Sequence, residues 1–507
     1  MRFHVLRWTL WLVVLCLGYP AVALSMEGGV SVRDFGARGD GVHDDTKAFQ
    51  AALDAVAEVG GWVHVPPVGP GMGYVLSHTV TIPESVALIG MPAGAGSNVR
   101  AVFTTPDSNI RGAKIFARPR PDQYEGPQKA PLFRLSPGAT VRGFWILYDE
   151  QPMPSDAAFQ DPDSPYYYPD FATAREHFIA DHVKPYGPTF YGEGLVNVVL
   201  EDIVCDRAVD FIYIATGGKC HFQRLTSFGY RRAIVIETAL DVMHVHNYEW
   251  VPNTGPLSPG GPFAAYDGAH FSWVYGIIAS QPDNVGIQLG HVDGYSLSDV
   301  TFFGIHTGLR LGYSDAYPLE NPVTGKPAAT ITPGNGPWGD ISGLKVDQCV
   351  IGVHFVWPTH LTNRVANALI FTGYDDGVAF MEAQDNEDSK RIARQGAFVV
   401  EPSHSRENNT GYVATFMASN TIIASFEDSG RFANASANVR SANGRAFLFD
   451  GDIFLELSGI QINPPYHKEL VWATGPHAER VHARLRGYLL GFEPQEDLTI
   501  ALDTSTE

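Results

Sequence analysis

Short apolar clusters recur through the middle of the chain every 22 or 23 residues, interrupted by insertions, and this spacing constrains the fold most strongly. Each cluster is a candidate strand, and another short apolar segment follows most of them within a few residues. Aligned on their apolar residues, the clusters begin at Leu200, Phe222, Val245, Leu297, Leu344 and Ala368. A repeated step of this size is typical of a solenoid, in which every repeat forms one coil.

The second segment of each repeat alternates between inward apolar residues and outward residues, which is the pattern of a strand with one buried face. We expect the inward residues to stack coil on coil into one continuous core. They are Ile212, Ile214, Ile234, Ile236, Ile287, Leu289, Leu309, Leu311, Val353, Phe355, Val378 and Phe380. A β-sandwich is the alternative, but its strands have no reason to keep a constant step. The pattern therefore predicts an all-β parallel solenoid.

The first 25 residues differ in composition from the rest of the chain. Arg2 and Arg7 precede an apolar stretch from Trp8 to Leu17, and Ala21-Val22-Ala23 resembles a small-residue cleavage site. The alternative is an uncleaved membrane anchor, but the stretch is shorter than the ~20 residues that a spanning helix needs. We expect residues 1–25 to be a signal peptide and the protein to be secreted, either extracellular or periplasmic.

Charge and cysteine content narrow the classes of partner. The chain has 35 basic and 55 acidic residues, and this acidic balance disfavours nucleic acid and anionic membranes as partners. It also disfavours a strongly anionic glycan, unless a cation bridges the two or the binding groove is locally basic.

Cys205, Cys220 and Cys349 follow the expected cleavage site and have no metal-ligand spacing. Cys205 and Cys220 either pair across neighbouring coils or, like Cys349, are buried apolar fillers.

The segment after residue 31 combines a strand, a turn and a helix. It reads Val-Arg-Asp-Phe-Gly-Ala-Arg-Gly-Asp-Gly-Val-His-Asp-Asp-Thr-Lys-Ala-Phe-Gln-Ala-Ala-Leu. Asp44, Asp45 or Thr46 can accept hydrogen bonds from the free amides of the helix start. Asp40, Asp44 and Asp45 are therefore interpreted as turn and capping residues, although a calcium or catalytic cluster is the alternative. Gly60-Gly61 ends the helix, and a strand begins at Trp62.

This opening resembles that of the pectate-lyase-like β-helix superfamily, which includes polygalacturonase-type glycoside hydrolases, exo-glucanases and phage tailspikes. The later Val80-Thr81-Ile82-Pro83 and Val86-Ala87-Leu88-Ile89-Gly90 fit the same pattern. The resemblance implies a single-stranded right-handed parallel β-helix over residues 26–507, with an N-terminal helix that caps the open end of the solenoid. It says little about the reaction, because members hydrolyse, eliminate, epimerise or only bind.

Two insertions interrupt the repeat, at about residues 150–192 and 250–272. Both are rich in aromatic residues, and long loops on a rigid scaffold often carry function. The run Tyr166-Tyr167-Tyr168 in the first insertion either stacks on sugar rings or fixes its loop to the solenoid. Asp267 and His270 in the second insertion are candidate site residues.

Hydrolysis of a glycoside needs two carboxyl groups, about 5 Å apart for retention and about 6.5–9.5 Å apart for inversion. Neighbouring coils lie about 4.8 Å apart, so carboxyls one or two coils apart on one face meet these distances. The candidate catalytic residues are Asp210, Glu237, Asp267 and Asp283. Their alternative roles are an exposed ion pair between Asp210 and Arg232 and a solvated turn at Glu237.

The outward positions of the same strands predict an exposed polar face that holds substrate. The candidate substrate-binding residues are Tyr213, Gln288, Arg310, His354 and His270. Thr372-Gly373-Tyr374-Asp375-Asp376-Gly377 superficially resembles the paired-aspartate motif of polygalacturonase-like hydrolases. Their Asn-Thr-Asp, Gly-His-Gly and Arg-Ile-Lys motifs are missing, so a strict polygalacturonase is not expected.

Three functions remain open from the sequence. The first is a glycoside hydrolase that acts on an extracellular or cell-wall polysaccharide without a cofactor. The second is a polysaccharide lyase or epimerase of a uronate polymer that uses His354 or Arg310, with Ca²⁺ as an optional cofactor. The third is a non-catalytic, adhesive glycan-binding β-helix. The expected partner is a polysaccharide, with no nucleic acid or membrane partner, and the protein is either a monomer or a homotrimer.

Overall fold

A computed structural model of the chain describes most of its N-terminal and central residues and shorter segments of its C-terminal third. The described ranges are 29–91, 112–250, 273–313, 317–328, 336–356, 362–372, 396–400, 414–425, 445–450, 453–462, 469–474, 481–486, 489–490 and 499–503. The predicted signal peptide, Asp267, His270, Val378 and Phe380 lie outside these ranges. No helix within them is long and apolar enough to cross a membrane.

Strands dominate the chain and helices are few. The strands of the N-terminal and central coils are β1 (Gly29–Ser31), β2 (Trp62–Val65), β3 (Tyr74–Leu76), β4 (Val80–Ile82), β5 (Ala87–Gly90), β6 (Lys114–Ala117), β7 (Phe133–Leu135), β8 (Thr140–Leu147), β9 (Phe190–Gly192), β10 (Leu195–Val196), β11 (Val199–Gly218), β12 (His221–Ala239), β13 (Met243–Trp250), β14 (Val285–Val292), β15 (Tyr295–Leu311), β16 (Glu320–Asn321) and β17 (Lys326–Pro327). The later strands are β18 (Gly339–Ser342), β19 (Lys345–Phe355), β20 (Thr362–Ala366), β21 (Leu369–Thr372), β22 (Gly396–Val400), β23 (Ala414–Ser425), β24 (Arg445–Asp450), β25 (Ile453–Ile462), β26 (Glu469–Thr474), β27 (Val481–Arg486), β28 (Leu489–Leu490) and β29 (Thr499–Asp503). The α-helices are α1 (Thr46–Val56), α2 (Asp156–Gln160), α3 (Phe171–His182) and α4 (Trp273–Ala279).

The strands form a right-handed parallel β-helix, as predicted. Each strand of the solenoid pairs in parallel with the strands one coil before and one coil after it. In the central coils Ile212 pairs with Ile234, Ile234 with Ile287, and Ile287 with Leu309. The antiparallel pairing of β16 with β17 lies outside this ladder, in a small sheet of its own. The parallel register excludes the β-sandwich alternative for the described coils.

The inward stack confirms the predicted core. Every predicted inward residue for which burial is described has 3% or less of its surface exposed, and most have none. Stacking of identical positions on successive coils buries an aliphatic column that no single coil could bury alone. Cys205, Cys220 and Cys349 are free thiols buried among these side chains, so the filler interpretation is confirmed and a Cys205–Cys220 disulfide is absent.

The coils turn at corners where single residues adopt positive φ. One corner repeats on successive coils at Gly143, Asp202, Arg224, Asn247, Asp299, Gly343 and Asn367. A second corner repeats at Gly60, Ser85, Gly138, Asn197, Lys219 and Gly294. The left-handed conformation is uncommon for residues other than glycine, yet several of these corners carry Asp, Asn, Arg or Lys. Their sequence therefore signals the corners only weakly.

The N-terminal helix α1 caps the solenoid as predicted. Phe49, Ala52 and Leu53 are completely buried against the first coil. The neighbouring aspartates form turn hydrogen bonds as predicted, but Asp45, at the N-cap position, does not cap the helix with its side chain. The Asp44 carboxylate accepts from the Thr46 amide at 3.1 Å, and the Asp45 carboxylate turns back to accept from the Arg38 amide at 2.7 Å.

The first insertion folds onto the solenoid as helices α2 and α3. Helix α3 begins after Asp170, whose carboxylate accepts from the Thr173 amide at 2.8 Å. Tyr166 and Tyr168 pack against the hydrophobic core, and the Tyr168 hydroxyl donates to Asp181 at 2.8 Å. Tyr166 and Tyr168 therefore fix their loop to the solenoid, while Tyr167 is exposed.

Candidate functional site

A single outward row crosses six neighbouring coils on one face of the solenoid. Its members pair in register, each with the next, and are Tyr191, Tyr213, Val235, Gln288, Arg310 and His354. We call these six residues the outer row. Neighbouring backbone positions in it are about 4.8 Å apart, the spacing of paired strands. The prediction that Gln288, Arg310 and His354 share one face is confirmed.

The prediction that this face is exposed is wrong. Each member of the outer row from Tyr191 to His354 is at least 96% buried. The cover is the segment of residues 317–328, which contains the hairpin β16–β17 and which we call the strap. Leu319 and Val323 of the strap pack on Tyr191, Tyr213 and Val235. The periodicity showed which way the side chains point, but it could not show that a distant loop lies over them.

The strap reaches from the outer row to an N-terminal loop. At its start, Tyr317 packs with its ring 4.9 Å from the Arg310 guanidinium carbon and 4.6 Å from the centre of the His354 ring. Further along, the Lys129 amide donates to the Pro322 carbonyl at 2.7 Å, and Gln128 donates to the Thr324 carbonyl at 3.3 Å. The strap therefore crosses the coils of the outer row and is attached beyond them.

Glu237 lies under the strap, two residues after Val235 in β12. The Tyr213 hydroxyl donates to Glu237 Oε1, and the Asn321 side chain of the strap lies close enough to lower the pKa of the same carboxyl. Burial raises the pKa of Glu237, although the hydrogen bond from Tyr213 and the nearby Asn321 side chain oppose this shift. A carboxyl with these properties holds its proton at a higher pH than an exposed one, which suits a general acid.

The close packing around Glu237 requires a glycine on the next coil. A Cβ atom at Gly290 would lie 2.2 Å from the Glu237 carbonyl oxygen and 2.8 Å from the Tyr313 ring. Any side chain at this position would push the two coils apart or displace Tyr313. Gly290 therefore allows the Tyr313 ring to close the wall beside Glu237.

Asp210 has a different environment from the one predicted. Its carboxylate is completely buried and binds two guanidiniums, those of Arg231 and Arg232, with Arg232 Nη2 at 2.8 Å. Burial alone would raise the pKa of Asp210, but the two guanidiniums outweigh burial and lower it. The predicted pairing with Arg232 is confirmed, and its predicted exposure is wrong. An ionised carboxylate with both oxygens occupied cannot serve as a proton donor.

The backbone of Asp283 lies at the opposite end of the strand from Glu237. Arg232, the register partner of both Asp210 and Val285, lies five residues before Glu237, or about 16 Å along the strand. Asp283 precedes Val285 and is exposed at that same distant end of the strand. The Arg232 side chain reaches back from this end, since its charge lowers the pKa of Glu237 while the charges of Asp210 and Asp283 raise the pKa of Arg232. Catalysis by Asp210 or Asp283 stays a prediction. Asp267 and His270 lie outside the described residues, so their roles stay predictions.

The structure brings a different carboxyl towards Glu237, that of Glu193. Gly192, Ile214 and Ile236 pair in register, so Glu193, Ala215 and Glu237 follow each other at the next position. Two coil steps separate the two backbone positions by about 10 Å. Glu193 is exposed, and its charge contributes to the raised pKa of Glu237. Glu193 comes directly after the short strand Phe190–Gly192. The insertion before this strand obscures its register with later coils in the sequence.

The other half of the outer row is rich in hydrogen-bond donors. Arg310 Nη2 donates to the Pro282 carbonyl at 2.6 Å. Gln288 is 2% exposed, and its side-chain Nε2 has no hydrogen-bond partner among the described residues. A buried amide without a partner costs about 1–3 kcal/mol. Gln288 therefore offers a donor to any polar group that enters beneath the strap.

Metal ligands do not cluster in the part of the chain that the structure describes. Within it, no three His, Cys, Asp or Glu side chains are placed to hold one ion. The stacked rings of His221 and His244, with centres 4.5 Å apart, lie on a different face of the solenoid from Glu237. The candidate site offers carboxyl, amide, guanidinium, imidazole and phenol groups.

Comparisons with known proteins agree with the fold. Residues 29–118 match the family model described as "Rhamnogalacturonase A/epimerase, pectate lyase-like". The tail spike protein of Shigella phage Sf6 is 39% identical over 84 residues, which are 16% of this chain and 13% of that protein. Mannuronan C5-epimerase AlgE5 of Azotobacter vinelandii is 38% identical over 86 residues, 16% of this chain and 8% of that protein. The match thus spans a small part of these relatives.

Solved structures resemble the chain over a much greater length. The exopolygalacturonase of Thermotoga maritima aligns with 92% of this chain and 92% of its own, at 10% identity and a TM-score of 0.44. The tailspike protein of E. coli bacteriophage HK620, solved with a pentasaccharide, aligns with 90% of this chain and 65% of its own, at 11% identity and a TM-score of 0.46. Residues 29–118 thus match a pectate-lyase-like family model, and the strands that follow form the parallel coils of a right-handed β-helix.

Proposed function

We propose that the protein is a glycoside hydrolase of an extracellular or cell-wall polysaccharide, with Glu237 as its general acid. The observation that carries the proposal is the contrast between two carboxyls on one face, two coils apart. Glu237 is buried with a raised pKa, whereas Glu193 is exposed. Two carboxyls whose environments differ in this way can take the roles of acid and base in one reaction.

The proposed reaction is a direct displacement by water. Glu237 gives its proton to the glycosidic oxygen as the bond from that oxygen to the anomeric carbon breaks. Glu193 takes a proton from the water that attacks the same carbon from the opposite face. If the two carboxyl groups keep a separation close to that of their backbone positions, about 10 Å, they leave room for this water and favour inversion over retention.

The remaining predicted residues position the sugar or the acid. Tyr213 holds the Glu237 carboxyl in place through its hydrogen bond, and the Asn321 side chain lies beside the same carboxyl. Gln288, Arg310 and His354 lie on the next coils and would contact neighbouring sugar units through their donors. Substrate binding by these residues remains a proposal, as does catalysis by Glu237.

The relatives support a carbohydrate substrate only in general terms. The matching family model is named for a rhamnogalacturonase and an epimerase, and several matching proteins are mannuronan C5-epimerases. The matched segment ends at residue 118, before the outer row begins. The reaction therefore has to be argued from the site itself.

The test is a panel of polysaccharides incubated with the secreted protein, with products identified by mass spectrometry. Hydrolysis adds one water to each pair of products, and we expect Glu237→Gln and Glu193→Gln each to lower the rate at least a hundredfold. Glu84→Gln is the control, because Glu84 is an exposed carboxyl far from the outer row. Full activity in both variants would refute the assignment.

The second candidate function is elimination or epimerisation of a uronate polymer. It is favoured by the neighbouring positions of Arg310 and His354, which could neutralise a sugar carboxylate and remove a proton. The same panel separates the two functions, because an unsaturated product absorbs ultraviolet light and lacks the added water. Loss of that product with a chelator would indicate Ca²⁺. Binding without any product would favour the adhesive function.

A further inference from the structure

From its packing, we infer that the strap, residues 317–328, is a lid that opens to admit the glycan and on closing returns Asn321 to Glu237. The inference rests on the proposed function only for the identity of the molecule that enters. Asn321 would be a positioning residue, since it contacts the Glu237 carboxyl and not the reacting atoms.

The strap is attached to the solenoid without being part of its ladder. Its hairpin, β16 with β17, forms a separate antiparallel sheet. Beyond Tyr317, its hydrogen bonds to the rest of the described chain run to Lys129 and Gln128 at one end and to Tyr191 in the middle. The Asn321 side chain there also lies close enough to lower the pKa of Glu237. The Asn321 to Tyr191 bond is long, at 3.4 Å. The strap can therefore lift without breaking any parallel strand pairing.

The tip of the strap is internally fixed, so it can move as one unit. The Asn321 side-chain oxygen accepts from the Val323 and Thr324 amides at 3.0 and 3.1 Å. The Gly325 amide donates to the Asn321 carbonyl at 2.8 Å, and the Ala328 amide donates to the Leu319 carbonyl at 2.7 Å. These bonds point the Asn321 amide nitrogen away from its own turn and towards Tyr191 and Glu237. Each closure would thus restore the same contact.

The face beneath the strap is unlike a permanently buried face. It carries the carboxyl of Glu237, the guanidinium of Arg310 and the amide of Gln288, whose nitrogen lacks a partner. Native proteins satisfy nearly all buried polar groups, so each exception calls for an explanation such as a catalytic role or a bound water or ion. A cover that leaves a donor unpaired is consistent with a closed state that awaits a ligand.

A closed strap would also block the proposed reaction until it opens. Glu237 is 9% exposed and Ala215, between the two carboxyls, is 5% exposed, so a polysaccharide cannot reach them in this conformation. Closure over a bound sugar would exclude bulk water while retaining the one attacking water, and it would keep Glu237 protonated. The same movement would then serve both entry and catalysis.

The first experiment measures opening without any glycan. Ala215→Cys places a thiol under the strap, and its reaction with a thiol reagent reports how often the strap opens. Ala233→Cys is the matched control, because Ala233 is completely buried in the interior core on the neighbouring coil. We expect the thiol at position 215 to react at least a hundredfold faster than the one at position 233. Equal rates, matching those of the buried native cysteines, would overturn the inference.

Two further measurements keep the test decisive. With Ala215→Cys, adding Asn321→Ala should speed labelling at least threefold, whereas adding Lys326→Ala, on the exposed side of the strap, should not.

In the unmodified protein, the Lys129 amide, bonded to the strap, should exchange hydrogen much faster than the Phe133 amide, bonded within the ladder to Thr189. Equal protection would overturn the lid. Because none of these readouts needs a substrate, they can succeed even if the hydrolase assignment fails.

Discussion

Two outward faces of the solenoid are covered by loops, and they differ in what lies under the cover. The first, which we call the apolar patch, consists of Val75, Phe116, Trp145 and Leu147 on the N-terminal coils. It is capped so tightly that a Cβ atom at Gly73 would lie 2.7 Å from the Phe116 ring. The second is the outer row with Glu237 under the strap. Burial is similar on both faces, so burial alone does not separate a structural face from a functional one.

The chemistry of the covered side chains does separate them. Apolar side chains under an apolar cover gain free energy from burial and have no reason to be uncovered. Polar side chains lose hydration under a cover and offset the loss only through partners, and among the described residues the Gln288 side-chain nitrogen has none. Burial of the apolar patch is therefore expected to stabilise the fold, whereas burial of the polar outer row is expected to lower the free energy of unfolding and to serve binding.

The largest expected change in the free energy of unfolding is for a substitution in the apolar patch. Phe116→Ala should lower the free energy of unfolding by about 3–5 kcal/mol, because it removes a buried ring and leaves a cavity. Denaturant unfolding of the purified variant measures this loss, and hydrolysis of the best substrate should survive wherever the variant is folded. A loss below about 1 kcal/mol would mean that this cover is loose too.

In the outer row, a substitution is expected to leave the free energy of unfolding unchanged or to raise it. Gln288→Met should leave stability unchanged or raise it by about 1 kcal/mol, because a buried donor without a partner is replaced by an apolar chain of similar size. The same variant should bind glycan more weakly. Thermal unfolding with and without glycan checks both, and a clear destabilisation would show that the amide has a structural role.

The strap itself should contribute little to global stability. Leu319→Ala should cost about 1 kcal/mol or less, because the solenoid stays folded when the strap is open. Leu289→Ala, in the interior column, is the matched comparison and should cost about 2–5 kcal/mol. Similar losses in the two variants would argue that the strap folds as part of the solenoid.

The smallest expected effect depends on pH. Since burial raises the pKa of Glu237 in the folded state, its contribution to stability is fully present below its unfolded pKa and is lost as the pH rises through the folded pKa. Glu237→Gln keeps the shape but cannot ionise, so its thermal stability relative to the wild type should increase across that window. If the difference in thermal stability between Glu237→Gln and the wild type stays constant with pH, Glu237 is not a buried carboxyl that titrates in this window.

Some of the candidate site could be predicted from the sequence because the coil repeat fixes neighbours. The step from Tyr213 to Val235, and the shared face of Gln288, Arg310 and His354, follow directly from aligning apolar residues. Asp210 was placed next to Arg232 for the same reason, but the second guanidinium, from Arg231, lies outside the alternation and was missed.

The sequence by itself determined the inward column, the capping helix and the order of the coils, because these follow from local periodicity and short-range turn chemistry. The tertiary structure alone decided which outward residues are covered, that Asp210 is neutralised, and that Glu193 and Asn321 reach Glu237. The contacts of Asp210 and Glu193 depend on the side chains of neighbouring coils, whereas the cover depends on where residues 317–328 return over the solenoid, as the Asn321 contact with Tyr191, 130 positions earlier, shows. Neither strand alternation nor helical spacing carries information about a contact of that range, because it is set by packing between distant segments.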